Sequence, residues 1–218
     1  KAIPISESDA YFSPYPIVNN ISVNTIWSFM RSCIYSTGLD GKNIFKVMDE
    51  KESKKVLNNI LACERDTTIE ILKVKRPNIV ILLLESWSAD VVESLGGCSG
   101  LTPNFERLKK DGYLFTNVYS NGNRSQQGIG SIISGFPALP ITTITDHPEK
   151  YNKLPSLVGC LKRIGYGSAF IFGGQLNYGN IKAYVVHNGF DKIVEEEDIP
   201  KSIPRGRLGV HDKDVLNY

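Results

Sequence analysis

Residues 121–128 have the sequence Asn-Gly-Asn-Arg-Ser-Gln-Gln-Gly. They follow an apolar segment at 113–119 and open a Gly-, Ser- and Ile-containing segment that ends at Gly135. This order predicts a strand, a tight turn and the start of a helix. Because a helix start favours an anion, Ser125, with Arg124 directly before it, is a candidate nucleophile for phosphoryl or sulfuryl transfer. From spacing alone, an N-cap role for the serine and a surface position for the arginine are the commoner alternatives.

The sequence from Lys75 onward alternates strand-like and helical segments. The pattern predicts strands at 78–84, 113–119, 166–172 and 190–194, and helices after Thr102, at 125–134, after Leu154 and at 177–187. The first run is continuously apolar from Ile79, as expected for a strand buried on both faces. Strands that alternate with helices indicate an α/β fold with a mostly parallel sheet and helices on both faces.

Residues 1–74 differ in pattern from the rest of the chain. Ser13-Pro14-Tyr15-Pro16 is typical of an extended arm, and helices are predicted at 24–35 and 49–63. We therefore predict two regions, a helical connector over 1–74 and the α/β domain over 75–218.

Composition excludes some classes of protein. The chain has 218 residues, 41% of them hydrophobic, and a formal net charge of +2, so nothing in its charge favours nucleic acid as a partner. Its longest apolar run, 79–84, is far shorter than the ~20 residues that span a bilayer. Since the chain opens with Lys1-Ala2 and not with Met, we expect an excised piece of something larger.

The four cysteines are Cys33, Cys63, Cys98 and Cys160, and none belongs to a CxxC pair. A zinc site is therefore not expected. An exported chain could pair them in any of three connectivities. We expect at least two to be free and buried or half-buried.

One pair of predicted strand ends carries polar groups suited to a metal. Glu85 ends the first predicted strand and Ser125 follows the second, at the sheet edge where α/β proteins bind ligands. A carboxylate and a hydroxyl that meet there could bind one hard cation, Mn²⁺ or Mg²⁺, which would lower the pKa of the hydroxyl. A helix cap or a salt bridge is the commoner role for such an acid. His211-Asp212 resembles a metal pair only in composition, because it lies in a polar segment.

Three stretches resemble a known family. Residues 77–87, Pro-Asn-Ile-Val-Ile-Leu-Leu-Leu-Glu-Ser-Trp, resemble the opening strand and metal carboxylate of lipoteichoic acid synthase-like phosphoglycerol transferases. Residues 101–119 include a stretch similar to one shared by sulfatases and those transferases. Residues 121–128, with Ser-Gly-Phe-Pro at 134–137, resemble the transferase nucleophile region, in which Ser125 replaces the usual Thr.

The resemblance implies an alkaline-phosphatase-like α/β fold with a single metal, commonly Mn²⁺, on the outer face of a bacterial cytoplasmic membrane. Transmembrane helices would precede the connector. Glu85 and Ser125 would hold the metal, and Arg124 would neutralise phosphate. Ser125 would attack a phosphatidylglycerol-like donor, release diacylglycerol and pass phosphoglycerol to a glycan or lipid acceptor.

The sequence departs from the family at several positions. The formylglycine motif of true sulfatases continues as x-Pro-x-Arg, but residues 125–128 lack both the Pro and the Arg, so sulfate-ester hydrolysis is not expected. The family's downstream Asp-His metal pair has no match, since His211-Asp212 has the reverse order. We therefore expect 75–218 to be the N-terminal part of a catalytic domain, incomplete at its C-terminus, inactive alone and prone to self-association.

The predicted substrate segment also differs. Gln175, in Phe-Gly-Gly-Gln at 172–175, stands where family members often carry an acid that contacts the glycerol headgroup, and its amide can still hydrogen-bond. Gly179 and Ile181 stand in place of Trp and Arg. The headgroup is therefore left open between glycerol, phosphoethanolamine and others.

Two other functions fit the same residues. One is a non-catalytic relative that binds lipid headgroups or glycans. The other is a periplasmic phosphodiesterase that uses water as the acceptor, which would release free glycerol phosphate.

Overall fold

The computed structural model describes residues 7–13, 15–36, 48–62, 71–139 and 142–218. The chain divides into two compact units. The large unit comprises residues 1–28 and 89–218, and the small unit comprises residues 29–88.

The described residues form mainly helices and short strands. The α-helices are α1 (Pro16–Ser22), α2 (Thr25–Ser36), α3 (Glu50–Leu61), α4 (Pro103–Leu108), α5 (Ser125–Ser134), α6 (Leu157–Arg163), α7 (Ile181–Asn188) and α8 (Asp212–Leu216). The strands are β1 (Ala169–Ile171), β2 (Lys192–Val194), β3 (Arg205–Gly206) and β4 (Gly209–Val210). Short 3₁₀-helices connect them at Glu7–Ala10, Ala89–Val91, Glu93–Leu95, Lys109–Asp111, Ile144–Asp146, Pro148–Lys153, Tyr178–Asn180 and Glu196–Asp198.

The parallel sheet of the large unit consists of β1 and β2, with α7 between them in sequence. Ala169 lies opposite Lys192 and Ile171 opposite Val194, in parallel register. This pairing confirms the predicted parallel strands near 166–172 and 190–194, although each strand is only three residues long. An antiparallel ribbon, β3 and β4, follows.

Two predicted helices of the large unit begin and end close to the expected residues. The C-cap residue of α5 is Gly135, which has a left-handed backbone conformation, with φ 62°, that favours glycine. The side chain of Ser156 caps α6 by accepting a hydrogen bond of 3.0 Å from the Gly159 N–H. Helix α5 has the predicted limits, whereas α6 begins at Leu157, later than the predicted opening at residues 154–155.

The core of the large unit surrounds α7. Four of its residues, Ile181, Ala183, Tyr184 and Val185, are 0% exposed. A helix buried on nearly all sides must be covered by several elements, and here they include α5, the Pro148–Lys153 helix and the segment around Tyr11. The hydroxyl groups of Tyr184 and of Ser134, at the end of α5, hydrogen-bond to each other.

An acid fastens the parallel strands to α6. Asp191 accepts hydrogen bonds from the Lys162 ammonium at 2.6 Å and from the Ser168 backbone N–H at 2.8 Å. These bonds lower the pKa of Asp191 to about 2, and the bond from Lys162 has the largest effect. The acid therefore stays ionised, and its bonds persist, over the whole neutral pH range.

Two predicted strands are not formed in the structure. The run 79–84, in the small unit, has no regular structure, and its side chains are between 45% and 81% exposed. The run 113–119, in the large unit, is also irregular, with Tyr113 and Tyr119 73% and 85% exposed. A strand is stabilised by a neighbouring strand as well as by its own composition, and neither run pairs with a strand among the described residues. The sequence prediction of a strand buried on both faces at 78–84 is therefore wrong here.

The predicted helices of the N-terminal region are present as α2 and α3. Asp49 begins α3 by accepting a 2.8 Å hydrogen bond from the Glu52 backbone N–H. The predicted end of this helix at Cys63 lies outside the described residues, as does Pro14. Tyr11, which is 6% exposed, belongs to the same core cluster as α7. The division into domains at residues 74 and 75 stays a prediction.

Three of the four cysteines can be compared with the expectation. Cys33, Cys98 and Cys160 are free, as expected for at least two, but all three are exposed and not buried. Cys63 lies outside the described residues. Within the described ranges, no helix combines the length and the apolar character that crossing a bilayer requires.

The half-buried His187 predicts how stability depends on pH. Burial lowers the pKa of His187 below its usual value of 6.5, so the imidazole is easier to protonate in the unfolded chain. The free energy of unfolding should therefore fall as the pH is lowered from 7.5 through 6.5 to 5.5. Urea unfolding at each pH, followed by circular dichroism, measures this slope.

The variant His187→Gln should have a smaller slope between these pH values than the unsubstituted chain. The matched control is His211→Gln, because His211 is exposed at the start of α8. An unchanged slope in His187→Gln would show that another group causes the pH dependence.

Candidate active site

The start of α5 places Ser125 as the first residue of the helix and Arg124 as its N-cap. Arg124 has extended backbone, φ −130° and ψ 147°, and its carbonyl accepts hydrogen bonds from the N–H groups of Gln127 and Gly128 at 3.0 and 3.1 Å. The Arg124 side chain makes no capping hydrogen bond, and the first turn of the helix contains no acid. The positive end of the helix dipole is therefore not compensated by a carboxylate from that turn, which favours an anionic ligand. Ser125 is half-buried there and Arg124 is exposed.

The loop before α5 is held by side-chain hydrogen bonds. Asn121 donates to the Ser131 hydroxyl at 2.8 Å and accepts from the Ala138 backbone N–H at 3.2 Å. The side chain of Gln127 accepts from the Asn123 N–H at 3.1 Å. These bonds join the loop both to α5 and to the segment that follows it. The position of Ser125 is thus fixed from two sides, as a nucleophile requires.

A second segment contacts the first turn of α5. Gly179, with a left-handed φ of 65°, lies so close to Gln126 that any Cβ at this position would overlap the Gln126 side chain. The next residue, Asn180, is also left-handed and donates a 2.6 Å hydrogen bond to Asp146. Asp146 in turn accepts from the Thr143 hydroxyl at 3.2 Å. The Tyr178–Asn180 turn is therefore held directly against the helix that carries Ser125.

Gln175 lies in the loop that follows β1, at the carboxyl end of the parallel pair. Its carbonyl accepts from the Tyr178 N–H at 3.2 Å, and the neighbouring Leu176 N–H donates to Glu195 at 3.1 Å. The side chain is half-buried. Since Gly179 belongs to the same segment and contacts Gln126, the structure brings the Gln175 segment and the first turn of α5 together. This is the arrangement expected for ligand binding at the carboxyl end of parallel strands.

Glu85 belongs to the small unit, in an exposed turn that continues to Ser86 with φ 60°. Ser125 belongs to the large unit, so their convergence on one metal stays a prediction.

The described residues do not fit a complete metal site. Among them, no group of three or more His, Cys, Asp or Glu side chains is arranged to hold an ion. Glu85 and Ser125 would supply only two of the ligands of an octahedral Mn²⁺ or Mg²⁺ site. His211 is the N-cap of α8, packed beside Gly206, so its pairing with Asp212 as a metal site has no support in the structure.

Sequence reasoning missed the supporting role of Gln126, Gln127 and Gly179. The adjacent residues Gly179 and Asn180 carried a usable signal, since glycine and asparagine are the residues that most readily adopt left-handed backbone. No sequence signal indicated that the Gln126 side chain would fill the space beside Gly179, because these residues are distant in the chain.

The substitution Gly179→Ala should disturb the first turn of α5. The new methyl group overlaps Gln126, and the left-handed backbone alone costs about 1–2 kcal/mol with any other residue. Chemical denaturation should show at least this loss, and amide exchange should increase at Gln126 and Gln127. Gly167→Ala is the matched control, because nothing lies within 4 Å of its Cβ position. Equal stability of the two variants would contradict the proposed contact.

Comparison with known proteins identifies the family to which this chain belongs. The family model described as Sulfatase matches residues 77–218. A solved protein in the alkaline phosphatase superfamily from Vibrio parahaemolyticus is similar in structure, with a TM-score of 0.56 and 38% sequence identity. The match covers 61% of this chain and 32% of that one, so the chain spans about a third of the length of that protein. Because the family model matches well over half of the chain, and the structural match agrees with the observed α/β architecture, this chain belongs to the sulfatase family, in the alkaline phosphatase superfamily.

Proposed function

We propose that this chain is part of a membrane-associated phosphotransferase that transfers a phosphoglycerol-type headgroup from a phospholipid through Ser125. The observation that carries the proposal is the position of Ser125 on the first turn of α5, a turn without a carboxylate, with Arg124 directly before it. Family membership supports phosphoryl or sulfuryl transfer or hydrolysis as the general class of reaction. The narrower reaction rests on the resemblance of residues 77–87 and 121–128 to the phosphoglycerol transferases.

The proposed reaction is a double displacement at phosphorus. The Ser125 Oγ forms a bond to the phosphorus of the donor phosphodiester while the bond to the diacylglycerol oxygen breaks, and the serine proton passes to that oxygen. A hydroxyl of the acceptor then attacks the phosphoserine ester, and Ser125 recovers a proton as it leaves. Arg124 and the first N–H groups of α5 would stabilise the negative charge on the phosphoryl oxygens in both steps.

Sulfate esters are the less favoured substrate. Residues 125–128 lack the Pro and Arg of the formylglycine motif, so the serine would remain a hydroxyl nucleophile. A shared fold does not fix the substrate, which depends on the residues of the site. Gln175 is proposed to hydrogen-bond the headgroup, and its neutral amide is compatible with glycerol or ethanolamine.

The proposed cofactor is Mn²⁺, with Mg²⁺ as the alternative. Members of the sulfatase family and of the alkaline phosphatase superfamily generally use divalent metals. We propose Glu85 and Ser125 as two of the ligands. Since the described residues do not complete the ligand set, the steps above are derived from the side chains and the backbone of this chain alone.

The proposed location is the outer face of a bacterial cytoplasmic membrane. The lipid donor and the glycan or lipid acceptor would both be reached there, with residues 1–74 leading from the membrane to the catalytic domain. The resemblance to the transferases is the support for this placement.

Loss of the nucleophile tests the proposal. In the whole natural protein, supplied with phosphatidylglycerol vesicles and Mn²⁺, Ser125→Ala and Glu85→Ala should each lower diacylglycerol release by several orders of magnitude. Mass spectrometry should detect a phosphoglycerol adduct on the peptide containing Ser125. Ser202→Ala is the control, because this serine lies in an exposed turn of the same unit.

Near-normal turnover in Ser125→Ala would exclude Ser125 as the nucleophile, whereas absence of turnover in the unsubstituted protein would favour the binding-domain alternative. Free glycerol phosphate as the main product, in the presence of acceptors, would favour the phosphodiesterase.

The charge of Arg124 predicts a smaller effect than the loss of Ser125. Arg124→Gln should lower kcat/KM by about 100-fold, because one charge-assisted contact to the transition state is lost. Arg124→Lys should recover part of the loss, whereas Arg207→Gln, at another exposed arginine, should have no effect. Equal activity of Arg124→Gln and Arg207→Gln would contradict a role for Arg124 in phosphate binding.

A further inference from the structure

The large unit contains a cavity of about 460 Å³ that the proposed reaction does not use. It lies between the N-terminal segment, the Pro148–Lys153 helix and the end of α7. The residues that line it are Tyr11, Asn19, Asn20, Val23, Thr25, Ser28, Pro148, Glu149, Tyr151, Asn152 and His187. Its volume falls within the ~300–1,000 Å³ that is usual for small-molecule sites.

The cavity is distant from the proposed nucleophile. A neighbouring cavity of about 200 Å³ shares Tyr151 and His187 with it and reaches Ser134, the last residue of α5. Ser125 is the first residue of the same helix. At about 1.5 Å per residue, the two ends of α5 are roughly 13 Å apart. Any ligand of the cavity would therefore occupy a separate site.

Two almost fully buried tyrosines form the rigid base of the cavity. Tyr11 and Tyr151 are 6% and 2% exposed. The Tyr151 hydroxyl donates a 2.6 Å hydrogen bond to the Thr145 carbonyl, and its ring lies 5.0 Å from that of Tyr184 in edge-to-face contact. These contacts fix the ring before any ligand arrives, which lowers the entropic cost of binding.

The polar groups of the cavity are mostly neutral. Amides come from Asn19, Asn20 and Asn152, hydroxyls from Thr25 and Ser28, and an imidazole from His187. No lysine or arginine is found among the described lining residues, which disfavours phosphate or another anion. Among the described lining residues the one carboxylate is that of Glu149, whose Oε1 lies 3.2 Å from Nδ1 of His147.

The side chains of His187 and Asn152 are available to hydrogen-bond a ligand. No described residue hydrogen-bonds to the ring nitrogens of His187 or to the amide of Asn152. Burial lowers the pKa of His187, so at neutral pH its imidazole has one N–H donor and one acceptor nitrogen. The Asn152 amide likewise offers both kinds of group. A ligand that suits them must both donate and accept.

We propose that this cavity is a carbohydrate site that binds a neutral pyranose ring. Each sugar hydroxyl both donates and accepts, as the amides and the imidazole require. The neutral lining favours an uncharged sugar over a phosphorylated one. This inference is independent of the proposed reaction, because none of the residues that line the cavity belongs to α5.

The test is saturation-transfer NMR on the 218-residue chain. The probes are glucose, galactose, mannose and N-acetylglucosamine, each at millimolar concentration, with glycerol, choline and inorganic phosphate as comparisons. At least one monosaccharide should give a transfer signal strongest at its ring C–H protons, and glycerol and phosphate should give none. Absence of signal from all four sugars would overturn the proposal, as would a signal from choline alone, which would indicate a cation site.

Variants separate this cavity from other surfaces. Asn152→Ala should weaken sugar binding at least tenfold, whereas Lys153→Ala, on the same 3₁₀-helix but outside the lining, should leave it unchanged. His187→Gln, checked for folding by circular dichroism, should also weaken binding. Ser125→Ala should bind sugar normally even if it abolishes transfer, so failure of the proposed reaction and failure of this site are distinguishable. Equal binding by Asn152→Ala and Lys153→Ala would place the sugar elsewhere and overturn the proposal.

Discussion

The burial of α7 is the interaction on which the rest of the large unit depends. Ile181, Ala183, Tyr184 and Val185 of this helix are 0% exposed, and removing a core aromatic such as Tyr184 typically costs about 3–5 kcal/mol. The helix connects the two parallel strands, contacts α5 through the Tyr184–Ser134 hydrogen bond and supports the N-terminal segment through the core that includes Tyr11. Catalytic and binding features of the unit are thus built on a single packed helix.

The candidate active site combines two kinds of constraint. A helix start without a carboxylate in its first turn creates a region of positive potential, which is a local property of the backbone around Ser125. The placement of that helix start is a tertiary property, because Gln126 fills the space left by Gly179 and Asn121 joins the preceding loop to α5. The distant cavity lined by Tyr151 and His187 depends on the same core but not on this helix start.

The sequence predicted well those elements that are specified by nearby residues. The limits of α5 and the approximate positions of α6, β1 and β2 followed from glycines and apolar runs. It failed at 78–84 and 113–119, because an apolar, β-rich run becomes a strand only beside a partner strand, and composition does not reveal the partner. The exposed cysteines illustrate the same difficulty, since burial of a small apolar side chain depends on which elements cover it.

The sequence by itself determined the α/β class, the helix that begins at Ser125, the candidacy of Ser125 and Arg124, and the resemblance that the sulfatase family match confirmed at the level of the family. These follow from local backbone preferences and short motifs, which neighbouring residues specify. Only the tertiary structure decided that Gly179 contacts Gln126, that Gln175 shares a segment with that contact, and that Tyr11, Asn152 and His187 line one cavity. Each of these joins residues far apart in the chain, and such contacts arise only when the core around α7 packs.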